Sequence, residues 1–246
     1  MSGLHRIDAH FVAAGKYHDI DFARLELLKL LAEHPNLRVT VASDYADIAR
    51  IEACAFLVTY TCDLVPTEAE VAAISAWLVR GGRWLALHGT NSILEFTAAG
   101  VATPQVRDDL MELLGTRFKA HPPIGPFKVE MVERDHPLTR GIEDFEVVDE
   151  LYLSETLAPI RTLMRTGFTG EATGFVDADW QDAVVPILYL RDIGMGQILY
   201  NTLGHCRGHW DLPTLQPFYD HPERCAWNYP VYYEMLRRGI AWAMGS

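Results

Sequence analysis

Three observations predict an α/β fold built on a mostly parallel sheet with helices on both faces. Short runs that are apolar throughout, such as "WLAL" at 84–87, suit strands covered on both sides. Strand-like and helix-like segments alternate through the first 115 residues, and parallel neighbours need a crossover long enough to hold a helix. The chain of 246 residues is 49% hydrophobic and has no low-complexity linker, so it reads as a single domain spanning residues 1–246.

The elements follow in order. "HRIDAHFVA" (5–13) predicts the first strand, and "DFARLELLKLLAEH" (21–34) a helix in which Leu25, Leu28 and Leu31 recur at helical spacing. "LRVTVAS" (37–43) and "ACAFLVTY" (53–60) give the next two strands. In "TEAEVAAISAWLVRGG" (67–82) Thr67 is the expected N-cap, Glu70 completes a capping box, and Gly81-Gly82 ends the helix. "GGRWLALHGTNS" (81–92) supplies a strand that stops at His88-Gly89, and "TPQVRDDLMELLG" (103–115) predicts another helix. Beyond it come short extended pieces: "TRFKAHPP", "FKVEMV", "FEVVDELYL" and "IRTLMRT". "VVPILYLRDIGMGQILYNTLGH" (184–205) reads as two strands about a turn, and "YPVYYEMLRRGIAWAMG" (229–245) as a last helix. There is no internal repeat.

Composition narrows the partners. With 21 Lys plus Arg against 33 Asp plus Glu, a formal net charge of -12, the long-range field repels nucleic acid and anionic lipid. The opening residues lack a basic stretch followed by an apolar run, and no run of about 18 apolar residues occurs, so a soluble, cytoplasmic protein is expected. Cys54, Cys62, Cys206 and Cys225 have no paired CxxC spacing and are expected to be reduced, Cys54 as a core residue.

In parallel sheets ligands bind beyond the carboxyl ends of the strands. His18, Tyr60, Thr61 and His88 all fall after expected strands and could gather at one edge. Gly89 lets the chain turn sharply after His88 and a ligand come close. His205 also follows a strand; His209, four residues on, would share its face only in a helix, which the glycines of "LGHCRGHW" oppose. Asp149 and Glu150 are adjacent carboxylates that face opposite ways in an extended segment, so one could enter a site. His121 precedes two stiffening prolines, whereas His136 sits in a polar turn. His5, His10 and His34 are read as structural. "GG" and "GMG" form neither a dinucleotide fingerprint nor a P-loop, and no G-x-S-x-G elbow occurs, so no nucleotide cofactor is expected.

Taken together, "PTEAEVAAISAWLVRGGRWLALHG", "GTRFKAHPP", "HPLTRGIEDFEVVDELY", "PILYLRDIGMGQILYNTLGH" and "RGIAWA" resemble the trehalose-utilisation, or ThuA-like, family over about residues 60–243, and "GKYHD" fits its opening. The resemblance implies a flavodoxin-like fold related to class I glutamine amidotransferases and a role in sugar or glycoside metabolism. It marks His88-Gly89, His121, Asp149-Glu150 with Tyr152, and Gly204-His205 as positions of the family's motifs. It also places His88 near the nucleophile of the amidotransferase relatives. Here His88-Gly89-Thr90 stands in place of a cysteine elbow, so glutaminase activity is not expected.

The expected protein is an enzyme acting on a sugar, glycoside or keto-sugar by proton transfer. His88 or His205 is the base, with Asp149 orienting it; His18, Gly89, Thr90, His121, Glu150, Tyr152 and His209 contact substrate. A divalent ion, zinc before others, is expected on His18, His121 and His205, with a carboxylate as fourth ligand. The alternative is a non-catalytic carbohydrate- or partner-binding module of amidotransferase-like fold. The aromatic segment 206–230 is read as a lid or rim of the sugar site, or as the contact of a homo-oligomer.

Overall fold

The computed structural model describes residues 5–209, 211 and 222–245. Among the described residues a nine-stranded sheet runs through the molecule in the order β2-β1-β3-β4-β13-β12-β11-β8-β9. Its first half consists of β1 (Ile7–Gly15), β2 (Leu37–Ala42), β3 (Phe56–Cys62), β4 (Arg83–Leu87) and β13 (Gly196–Asn201), all parallel. Its second half, β12 (Asp179–Ile193), β11 (Arg161–Glu171), β8 (Gly125–Met131) and β9 (Phe145–Asp149), is antiparallel. The expected mostly parallel sheet is therefore a mixed one. The short extended pieces of the second half extend the same sheet, because hairpins need no crossover helix.

Side chains alternate across the parallel half as a pleated strand requires. On β1, Ala9, Phe11 and Ala13 enter the core layer shared with α1 (Ile20–Leu31) and α5 (Pro230–Met244), while Val12 enters the opposite layer. Leu85 and Leu87 of β4 join the first layer, Trp84 and Ala86 the second. That second layer is closed by α2 (Ile48–Ala53), α3 (Glu68–Val79) and α4 (Asp108–Leu114). Helices thus cover both faces.

The expected capping box is formed: the Thr67 hydroxyl accepts from the Glu70 amide and the Glu70 carboxylate from the Thr67 amide. Other local expectations shift. In α1 the buried stripe is Ala23, Leu27, Leu30 and Leu31, and Leu25 is 54% exposed. The helix expected from Thr103 begins only at Asp108; Pro104 keeps Thr103 itself out of helical backbone. The one-and-a-half-turn α2 was not foreseen; Asp47 caps it by accepting from the Arg50 amide. Nor was the hairpin of β5 (Glu95–Thr97) and β6 (Gly100–Ala102). Tyr60 and Thr61 lie within β3, two residues and one residue before its end, and not in the following loop. A separate pair, β7 (Thr116–Ala120) with β10 (Leu153–Thr156), carries His121 and Tyr152 to the rim of the sheet.

All four cysteines are free and buried. No described helix is long and apolar enough to cross a membrane.

Candidate functional site

Because β1, β3, β4 and β13 are parallel, their carboxyl ends open on one edge; Cys62 ends β3 there, and the segments leaving β1, β4 and β13 deliver His18, His88 and His205. Glu150 arrives from the antiparallel half as the residue after β9. His18, His88, His205 and Glu150 are buried, and one donor atom from each lies within 4.8 Å of all the others.

The hydrogen bonds fix what these atoms can do. His88 Nδ1 lies 2.8 Å from the Thr202 carbonyl and His18 Nδ1 lies 3.2 Å from the Lys16 carbonyl. A carbonyl only accepts, so both Nδ1 atoms carry a proton, and in the neutral rings both Nε2 atoms present lone pairs. Those two Nε2 atoms are 2.9 Å apart. Glu150 Oε2 lies 3.7 Å from His18 Nε2, 3.6 Å from His88 Nε2 and 3.1 Å from His205 Nδ1. The other ring nitrogen of His205, Nε2, is 3.2 Å from Glu223 Oε2. His205 Nδ1 is buried, and its nearest charged neighbour is Glu150 Oε2 at 3.1 Å.

A tetrahedral ion bound at about 2.0–2.1 Å needs donors about 3.3–3.4 Å apart; the four separations above straddle that value, and all pairs lie within 4.8 Å. Three imidazoles and a carboxylate are also the donor types that zinc accepts. The electrostatics differ from donor to donor. Burial pushes His18 down to about 3, against the pull of Glu150. For His205 burial opposes protonation, but Glu150 and Glu223 outweigh it and hold the ring up to about 9 while no ion is bound. Burial works against ionisation of Glu150 too, yet the surrounding His121 and His205 keep it well below the usual carboxylate range.

The backbone is shaped to make this convergence. His88 takes a left-handed φ of 44°, unusual for a residue with a side chain, in the single 3-10 turn that follows β4. Gly89 does not carry the positive φ; a Cβ there would sit 2.6 Å from the Thr61 carbonyl, so glycine lets the end of β3 approach. Thr90 turns away from the cavity, its hydroxyl donating to the Leu87 carbonyl at 2.8 Å. Asp149 faces away from the imidazoles. Its carboxylate accepts from the amides of Glu150 at 2.8 Å, Gly204 at 2.8 Å and His205 at 3.1 Å, and so holds the loop that presents His205. Burial raises the Asp149 carboxyl above its usual range, opposed by His88 and the Gly204 amide.

Above the cluster opens a cavity of about 410 Å³ whose walls include Tyr17, Phe96, Phe118, Tyr152 and Phe175. His18, Glu150, His121 and Arg207 reach it, whereas His88 and His205 lie beneath, both fully buried. Tyr152 packs on the His88 ring with centroids 4.4 Å apart. His121 stands outside the four-donor group: its Nδ1 donates to the Pro122 carbonyl at 2.9 Å and its Nε2 lies 3.2 Å from Glu150 Oε1. Burial holds this ring below the usual histidine value, against Glu150.

His209 lies in a half-buried turn with no helix to align it with His205, and it is not in the donor group. Of the aromatic segment 206–230, residues 210 and 212–221 fall outside the described ones. Two residues that the sequence did not single out belong to the site. Glu223 meets His205, and Arg207 bridges Glu223 at 3.1 Å and Glu150 at 3.5 Å. Their only signal in the sequence is charge inside an otherwise aromatic stretch.

A family model described as ThuA, trehalose utilisation, matches residues 11–221. No curated protein sequence matches the chain. Among solved structures, a ThuA-like protein from Bacteroides uniformis is 15% identical with a TM-score of 0.68, over 99% of this chain and 93% of that one. A second, from Parabacteroides merdae, is 14% identical with a TM-score of 0.62, over 97% and 90%. A β-galactosidase from Rahnella sp. R3 is 13% identical with a TM-score of 0.56; the likeness spans 98% of this chain and 31% of that one. At such identities the likeness is one of fold. Since the family model spans most of its length, the chain belongs to the ThuA family, whose described role is trehalose utilisation.

Proposed function

We propose that the chain is an enzyme of carbohydrate metabolism that moves a proton beside the carbonyl of a sugar or keto-sugar, with a divalent ion, zinc before others, held by His18, His88, His205 and Glu150. The observation that carries this reading is the convergence of three imidazole nitrogens and one carboxylate oxygen at the floor of an aromatic-walled cavity. An ion there supplies a Lewis acid for the carbonyl oxygen. The parallel order β2-β1-β3-β4-β13 supports a flavodoxin-like reading of that half, in which ligands bind beyond the strand ends around the first and third strands.

The protein's own groups divide the remaining work. With both nitrogens of His88 and of His205 engaged, neither is the base. His121 takes that role: burial keeps it neutral near pH 7, and its Nε2 lies at the cavity beside Glu150. The aromatic walls offer faces for a sugar ring, and the cavity volume is in the range of small-molecule sites.

Deuterium uptake in D₂O, followed by proton NMR at the carbon next to the carbonyl, tests this over a panel of aldoses, ketoses and oxidised disaccharides. Uptake that needs the protein, stops with a chelator and is lost in His121→Gln supports the reading. Saturable sugar binding with no uptake on any member would instead favour the non-catalytic binding module.

A further inference from the structure

We propose that Glu223 is a positioning residue that fixes the ring and tautomer of His205 so that Nδ1 points its lone pair at the donor cluster. The proposal rests on the metal reading above. His205 has two carboxylates competing for its protons, Glu150 Oε2 at 3.1 Å from Nδ1 and Glu223 Oε2 at 3.2 Å from Nε2. A proton on Nδ1 directed at Glu150 would occupy the lone pair an ion needs. A carboxylate on Nε2 biases the neutral ring the other way, which is the general use of a second carboxylate behind a metal-bound histidine.

Glu223 is itself held in place for this task. Its amide donates to the Arg207 carbonyl at 2.9 Å and its carbonyl accepts from the Arg207 amide at 3.1 Å, a two-way bridge between distant parts of the chain. The Arg207 guanidinium donates to Glu223 Oε2 at 3.1 Å, to Glu150 Oε1 at 3.5 Å and to the Tyr17 carbonyl at 3.1 Å. One cation therefore sets the spacing of both carboxylates that contact His205. Arg207 also ties them to Tyr17, the residue before His18.

The test measures zinc affinity by competition with a chromogenic chelator for the wild-type protein, Glu223→Gln and Glu223→Leu, with circular dichroism in EDTA as the check on folding. Glutamine keeps an acceptor for Nε2–H, leucine does not. The expected result is a loss of about 10–100-fold for leucine and of no more than about threefold for glutamine. Equal affinity in wild type and Glu223→Leu, or equal losses in both variants, overturns the role of Glu223 while leaving the metal reading intact. A wild-type protein that takes no zinc overturns both. Should the leucine variant fail to fold, nitrogen-15 NMR of the zinc-loaded wild type decides: His205 must carry its proton on Nε2, and a proton on Nδ1 contradicts the proposal.

Discussion

The Nε2 atoms of His18 and His88 face each other at 2.9 Å although each ring already donates its one neutral-state proton to a backbone carbonyl. Two lone pairs at that distance repel unless a proton or a cation lies between them. Burial drives His18 down to about 3, so His18 does not supply such a proton near neutral pH. In the proposed site, a cation shared with Glu150 and His205 would resolve the contact.

Changing either partner should therefore act on metal affinity before it acts on the fold. His18→Gln and His88→Gln are expected to weaken zinc binding by on the order of 100-fold or more, beyond what loss of an outer partner does. Isothermal titration of the chelator-stripped proteins measures this. Unchanged affinity in both variants would remove the four-donor site.

Stripping the ion should leave a protein whose stability peaks near pH 6.5. His18 falls from 6.5 to about 3 on folding, so its contribution is present above 6.5 and erodes as the pH drops toward 3. His205 rises from 6.5 to about 9, so its contribution is present below 6.5 and is lost as the pH climbs through 9. Thermal midpoints in EDTA should fall on both sides of the peak, and zinc should flatten the alkaline arm by replacing the His205 proton. An EDTA profile that stays level from pH 6.5 to 9 would contradict this.

Asp149→Ala should destabilise the protein by about 3 kcal/mol or more, because it strands the buried amides of Glu150, Gly204 and His205. Urea unfolding of the chelated protein isolates that effect from metal binding. A loss under about 1 kcal/mol would show that water or a neighbour replaces the carboxylate.

Glutamine hydrolysis should be absent. Cys62 ends β3 and lines the cavity, but burial raises its thiol above the ordinary value and the Glu150 charge adds to the effect, so the thiolate is suppressed. Ammonia release from glutamine that vanishes in Cys62→Ser would overturn this.

Much of the frame was legible before the structure. Largely apolar runs at 56–60 and 84–87 and the Thr67–Glu70 box mark a covered parallel sheet, and strand ends then place His18, His88 and His205 at one edge. Period-two alternation told that Asp149 and Glu150 face apart, but the direction depends on which way β9 joins the sheet, a tertiary fact. The sequence reading has Asp149 orient the base and His121 join the metal donors; in the fold Asp149 meets three backbone amides, and His88 converges with His18, His205 and Glu150. Glu223 was harder still, since it reaches His205 only through a long excursion of the chain.

An anomalous difference map at the zinc edge, from crystals grown with zinc, tests the central claim most directly. The account predicts one peak about 2.0–2.2 Å from His18 Nε2, His88 Nε2, His205 Nδ1 and Glu150 Oε2. A map with no peak there, or with a peak on His121 and not on His88, would contradict it.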